Sequence, residues 1–277
     1  MSVDDGIGLL QIAKNNYRML GLRETGIGIL LYLMRDVFPA RDGFDKRYGV
    51  ETDGVVTPDA AGITDDRLRS AAILYAPIRE NALNTVLGDT LAKRDPSQLT
   101  FVDLGSGKGR GLLIASRYPF ARIIGVELSN SLAQIARENV RRYLAQAKPV
   151  APIRCRQLDI QCTSATTFDY PDSDLLVYMY RPFTGDVFIA ALDNLERFQR
   201  TTGRQVMIML CCPNEEPLLA QHAAFRKSGS FHVIDREYSW VMYEGVATRD
   251  TATPPQDDAV DLNHAPADSL AEDRGSS

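Results

Sequence analysis

The sequence predicts an α/β fold with a mostly parallel sheet covered by helices on both faces. Three observations carry this. Between Phe101 and Ala247, short runs rich in β-branched residues alternate with longer helical stretches. The first run ends in the glycine-rich turn GSGKG, and two final runs follow one another without an intervening helix. Alternation of this kind yields parallel strands joined by crossover helices, whereas strands without a helix between them pair as a hairpin.

Five runs read as strands in this layer: Leu99 to Leu104, Arg122 to Glu127, Ile153 to Leu158, Leu175 to Tyr180 and Gln205 to Cys212. Helical segments separate them, the last over 215 to 227. Phe231 to Tyr238 and Trp240 to Ala247 are two further strand-like runs with one residue between them, predicting a terminal antiparallel hairpin.

Residues 1 to 98 contain three stretches with apolar positions at helical spacing, Ile7 to Gly21, Ile27 to Phe38 and Asp65 to Leu91. They are separated by the turn-rich ARDGFDKRYGVETDGVVTPDAAG. Such a segment reads as a helical layer on the sheet, or as a lid that closes over a site. The tail from Thr248 is rich in Asp, Ala, Pro and Ser and has no aromatic residue. Its composition cannot offset its ordering entropy, which predicts a disordered acidic tail. The expected organisation is a helical cap over 1–98, a catalytic domain over 99–247 and the tail over 248–277.

Composition narrows the function. The chain carries a net charge of −5, and residues 248 to 277 alone hold seven acidic against two basic residues, also −5. Residues 1 to 247 are therefore formally neutral, which argues against a nucleic-acid partner bound through an overall positive field. The longest apolar run, Ile27 to Met34, is too short to span a bilayer, so no membrane association and a cytoplasmic location are expected. The four cysteines, Cys155, Cys162, Cys211 and Cys212, lack CxxC spacing, and the chain has three histidines. They read as buried thiols, and no metal site is expected.

The site-carrying motif is DLGSGKGRG, in which Asp103 closes the first strand and Gly105, Ser106, Gly107 and Gly109 form the turn into the next helix. Glycines there permit positive φ and close backbone approach to a ligand, and N–H groups at a helix start favour an anionic group. A dinucleotide fingerprint requires glycine at the sixth place, which is Arg110. A P-loop requires GK followed by Ser or Thr, whereas Lys108 lies inside the cluster.

Glu127 ends the second strand 22 positions after Gly105, the spacing of a carboxylate that accepts from a ribose diol. A 2′-phosphate would be repelled by it. The third run ends at Asp159, placing a third acid at the same edge to accept from an adenine amino group, with the Ile160 N–H donating to the ring. The fourth run ends Tyr180-Arg181-Pro182-Phe183, where a transferred group would meet its acceptor. Tyr180 and Phe183 can frame a flat acceptor or contact a sulfonium through their π-faces, and Pro182 restrains the loop.

From Leu99 to Ala247 the chain resembles the class I, Rossmann-like S-adenosylmethionine-dependent methyltransferases, with DLGSGKG as motif I. The resemblance implies a seven-stranded sheet with an antiparallel last strand. It assigns the methionine portion of S-adenosylmethionine to Asp103, Gly105, Ser106, Gly107 and Gly109, the ribose to Glu127 and the adenine to Asp159. A narrower resemblance covers YGVET at 48 to 52 and YAP at 75 to 77, similar to compact bacterial methyltransferases and to non-SET histone lysine methyltransferases. It adds Tyr75, and Thr52, as residues folding over the cofactor.

The family's motif IV carries Asn-Pro-Phe or Asn-Pro-Pro-Tyr, but Arg181 stands here at the Asn position. Arginine accepts no hydrogen bond, so methylation of a nucleobase or amide nitrogen loses its principal residue, and a carboxylate acceptor becomes an option. The implied reaction is in-line displacement of the sulfonium methyl by an N, C or O nucleophile, with Tyr180 as the catalytic candidate and Arg181 and Phe183 contacting substrate. Tyr48 and Glu51 are further orienting candidates, whereas His222 and His232 receive no role. A small-molecule acceptor, as in natural-product biosynthesis, fits the neutral body. A protein or RNA acceptor is the alternative, to be favoured if Arg137, Arg141, Arg142, Arg154 and Arg156 share one face, and a binding module without catalysis is the third reading. Closure by residues 1–98 within one chain or from the partner of a homodimer is equally compatible with the sequence.

Overall fold

The computed structural model describes residues 43–92, 94–147, 149–233 and 238–246. The helices predicted at Ile7 to Gly21 and Ile27 to Phe38, and the acidic tail, lie outside these residues.

Seven strands form one sheet: β1 (Leu99–Leu104), β2 (Arg122–Glu127), β3 (Leu158–Cys162), β4 (Asp174–Tyr180), β5 (Val206–Cys211), β6 (Phe225–Val233) and β7 (Tyr238–Gly245). Their order is β3-β2-β1-β4-β5-β7-β6. The pairs from β3 through β5 are parallel, and β7 runs antiparallel to both β5 and β6. The order reverses at β1, so the crevice beyond the ends of β1 and β4 is the topological switch point, where open α/β sheets bind ligands.

Seven α-helices among the described residues accompany the sheet: α1 (Phe44–Tyr48), α2 (Asp66–Ala71), α3 (Glu80–Leu91), α4 (Arg110–Ala115), α5 (Asn130–Leu144), α6 (Gly185–Thr202) and α7 (Glu216–Gln221). Burial on both faces explains why β1 and β5 are buried at every position. Side chains alternate between two cores. Phe101, Ile123, Tyr178, Met209 and Trp240 pack with Leu83 and Leu87 of α3, Leu112 of α4 and Ala133 of α5. Val102, Ile124, Val177 and Ile208 pack with Phe188, Leu192 and Leu195 of α6 on the other face. Local signals set the helix ends: Ser129 Oγ accepts from the Leu132 N–H at the start of α5, and Gly203 at φ 71° closes α6.

Four sequence boundaries are corrected. The third strand begins at Leu158, not Ile153, because the N–H groups of Arg154 and Cys155 are both spent on the Ser116 carbonyl, at 2.8 and 2.9 Å. Residues 65–91 are not one helix. Pro77 cannot continue an α-helix and disfavours it at Ala76, and the chain from Ala72 to Ile78 runs extended between α2 and α3. The strands of the terminal hairpin start at Phe225 and Tyr238, not at Phe231 and Trp240. That early start confines the helix predicted over 215–227 to Glu216–Gln221. Among the cysteines, Cys155 and Cys211 are buried as expected, but Cys162 is exposed and Cys212 only half-buried. No helix among the described residues is long and apolar enough to cross a membrane.

Candidate active site

At the switch point lies a cavity of about 180 Å³, bordered by the turn after β1, the ends of β2 and β4, the start of the chain after β3, and the extended segment 72–78. The turn is possible because Gly105, Gly107 and Gly109 hold φ of 79°, 55° and 86°. Two of them also provide room: a Cβ on Gly105 would fall 2.2 Å from the Pro182 ring, and one on Gly107 would fall 2.1 Å from the Tyr75 ring. Any side chain at either position would displace the elements that wall the cavity.

Two carboxylates face this turn. Glu127 accepts from the backbone N–H groups of Gly107 and Ser129, both at 2.8 Å. Burial nevertheless raises its pKa, with the N–H bonds from Ser129, Gly107 and Leu128 opposing the shift. Asp103 is 3 % exposed, and no donor among the described residues reaches its carboxylate. Burial first, and then the neighbouring Glu127 charge, raise it well above the usual carboxylate range. Ser106 Oγ and the Tyr178 hydroxyl, both on residues bordering the cavity, are likewise buried without a partner. Buried polar groups without partners beside a cavity mark it as a candidate site for a polar ligand.

At the end of β4, Tyr180, Arg181, Pro182 and Phe183 border the cavity as expected. Tyr180 is pushed well above its ordinary pKa, first by burial and then by Tyr238, so its phenol is a donor and not a base at neutral pH. Arg181 sits at φ 45° and Cys212 at φ 50°, the two positive-φ residues other than glycine among those described. Because Tyr180 pairs with Cys211 in register, these strained residues lie side by side at the sheet edge. Backbone strain at neighbouring positions is characteristic of functional edges.

The segment 72–78 reaches the site through backbone pairing. Ile73 donates to the Pro182 carbonyl at 3.1 Å, Ala72 bridges Phe183, and Tyr75 exchanges hydrogen bonds of 2.8 and 3.1 Å with Val56. Tyr75 lays its ring on Gly107 and donates its hydroxyl to the Thr52 carbonyl at 2.6 Å. Thr52, by contrast, is fully buried away from the cavity.

Arg110 is the residue that sequence reasoning missed. Excluded from the dinucleotide pattern for not being glycine, it is 1 % exposed and its guanidinium clamps the preceding segment. Nε donates to Thr52 Oγ1 at 2.6 Å, and one terminal nitrogen reaches Asp45 at 3.2 Å as well as Asp53. The Phe44 ring lies beneath the guanidinium at 4.7 Å. Lys108 adds a bond to the Asp53 carbonyl at 2.7 Å, and Asn139 of α5 holds both the N–H and carbonyl of Glu51. The YGVET stretch is therefore a strut, anchored by the buried Tyr48, Val50 and Thr52. Tyr48 packs against Tyr143, and neither Tyr48 nor Glu51 borders the cavity.

Asp159 and Ile160 are corrected. With β3 displaced along the chain, Asp159 is its second residue, paired in register with Ile124, well short of the edge. It is half-exposed and faces Arg122 at 3.2 Å, while the Ile160 carbonyl accepts from Arg137. Thr163, Ser164 and Ala165 occupy the edge position instead. Gly111 was also missed: a Cβ there would fall 2.5 Å from Asp103 Oδ2, so glycine is needed for α4 to pass the carboxylate.

No family model and no curated protein matches the chain. Solved structures resemble it at low identity. The magnesium protoporphyrin IX methyltransferase from Synechocystis PCC 6803, with S-adenosylmethionine bound, is 15% identical over 78% of this chain and 96% of its own, with a TM-score of 0.44. The ribosomal protein L11 methylase from Lactobacillus delbrueckii subsp. bulgaricus is 16% identical over 62% and 80%, with a TM-score of 0.43. An RNA methyltransferase from Salinibacter ruber, in complex with S-adenosyl-L-homocysteine, is 17% identical over 66% and 98%, with a TM-score of 0.41. With its parallel β3-β2-β1-β4-β5 core and antiparallel β7 inserted before β6, the chain has the seven-stranded Rossmann-like fold of the class I methyltransferases.

Proposed function

We propose that the chain is an S-adenosylmethionine-dependent methyltransferase acting on a small molecule. One juxtaposition carries the reading: the glycine turn, the unpartnered Asp103 carboxylate and Glu127 border a single cavity at the switch point of the sheet. Asp103 suits a ligand ammonium and Glu127 a ribose diol, and Gly105 and Gly107 let Pro182 and Tyr75 close on the turn that borders the cavity. Leu128 and Leu132 give an apolar wall for a base, and Thr163 and Ser164 a polar rim. Bound there, S-adenosylmethionine supplies a methyl group activated as a sulfonium.

The chain's own groups then orient and shield the acceptor. Tyr180 remains a protonated phenol and donates a hydrogen bond. Arg181 has no ion-pair or hydrogen-bond partner among the described residues, and it attracts a carboxylate-bearing acceptor. Residues 72–78 pair with Pro182 and Phe183 and roof the cavity, which favours an enclosed small molecule. Of the five arginines that would favour RNA or protein, four have partners of their own: Arg141 and Arg142 share Glu138, Arg156 donates to the Leu144 carbonyl and Arg137 to that of Ile160.

Purified protein incubated with methyl-labelled S-adenosylmethionine and either metabolite fractions or macromolecular extracts tests the reading. Label is expected in a carboxylate-bearing metabolite, with Arg181→Ala raising KM for that acceptor at least tenfold. Label recovered only in RNA or protein would transfer the assignment to the macromolecular class.

A further inference from the structure

On the face opposite α3 to α5, two elements bring three ligating side chains together. Asp193 and Glu196 stand three residues apart on α6 and so share one side of the helix. His222 closes α7. Its Nε2 lies 3.2 Å from Asp193 Oδ1 and 3.7 Å from Glu196 Oε2, and all three donor atoms fall within 4.8 Å of one another. A first-row dication with N and O ligands at about 2.1 Å in a tetrahedral arrangement needs its donors about 3.4 Å apart. The two measured separations bracket that figure.

The ring is fixed in this orientation. His222 is largely buried and packs against Phe225 with ring centroids 5.3 Å apart. Its Nδ1 is buried with no partner, so Nε2 alone meets polar groups. Nε2 thus faces two carboxylates, whose mutual repulsion a dication would offset. One imidazole and two carboxylates form a mixed donor set suited to zinc or manganese.

We propose that Asp193, Glu196 and His222 bind a divalent first-row cation, with the remaining coordination positions open to solvent beside the exposed Asp193. The cation ties α7 to α6. It thereby braces the Cys212 to Glu215 connection, in which Glu215 Oε2 accepts from the Gly185 N–H at 3.3 Å at the start of α6.

Calorimetric titration of the EDTA-treated full chain with zinc chloride tests this independently of any methyl transfer. One zinc per chain is expected, with affinity falling at least tenfold in both His222→Gln and Asp193→Asn, and with zinc raising the unfolding midpoint of the unsubstituted chain only. Because Asp193 is 63% exposed, its asparagine variant preserves the fold even where His222→Gln does not. No zinc binding, or binding equally tight in Asp193→Asn, would overturn the proposal.

Discussion

Asp103 costs stability in the free protein, and under the proposed function it offsets that cost as affinity for a cation. Its carboxylate is buried against Gly111 and Tyr178, lacks a donor, and lies in the field of Glu127. With a folded pKa above the ordinary 3.8, the folded state holds its proton more tightly than the unfolded chain. The penalty is therefore absent below that ordinary value, grows as pH rises through the folded pKa and is constant above it. Asp103→Asn removes the buried charge, so this variant is expected to unfold at a higher temperature than the unsubstituted chain at pH 7, by roughly 2–4 °C for each kcal/mol relieved. The difference should vanish near pH 4. Calorimetric melting of both proteins across that range checks this, and a variant less stable at pH 7 would show the carboxylate to be structurally partnered. Asp103 and Glu127 were legible because they lie at the ends of strands that the hydrophobic runs mark, Asp103 one residue before the end of β1 and Glu127 at the end of β2. Asp159 was misplaced because the apolar run from Ile153 contains an extended lead-in tied to Ser116, and nothing in the residue pattern separates such a lead-in from a ladder-paired strand.

Among the elements, the strut over 43–53 is held chiefly by one side chain. Arg110 satisfies Thr52, Asp45 and Asp53 and donates to the Ile78 carbonyl, so it joins the strut to both α4 and the roof segment. Lysine retains the charge but loses the fork of donors. Arg110→Lys is expected to destabilise the chain by about 3–5 kcal/mol, the usual result of breaking a buried ion-pair network from one side. Hydrogen exchange should quicken across residues 43–56 before the sheet is affected; uniform exchange would deny the clamp. This device was invisible in the sequence. Its partners lie 57 to 65 positions upstream in a turn-rich stretch with no periodicity. Tyr75 could be singled out only by resemblance, since what gives it a role is the absence of a Cβ on Gly107, across the cavity wall.

For the whole molecule, the parallel core was legible because fully buried strands leave continuous apolar runs, and the switch point follows from their order. The terminal hairpin was recognised, but its first strand was started at Phe231 in place of Phe225, since Phe225 to Ser230 mixes polar and small residues that read as the end of a helix. The central claim is that this switch point holds S-adenosylmethionine between Asp103 and Glu127. Titration calorimetry of the purified chain with S-adenosylmethionine tests it most directly. The account predicts one ligand per chain, with affinity at least tenfold weaker in Asp103→Asn and in Glu127→Gln, about 1.4 kcal/mol or more for each. Absence of binding, or equal affinity in both variants, would contradict it.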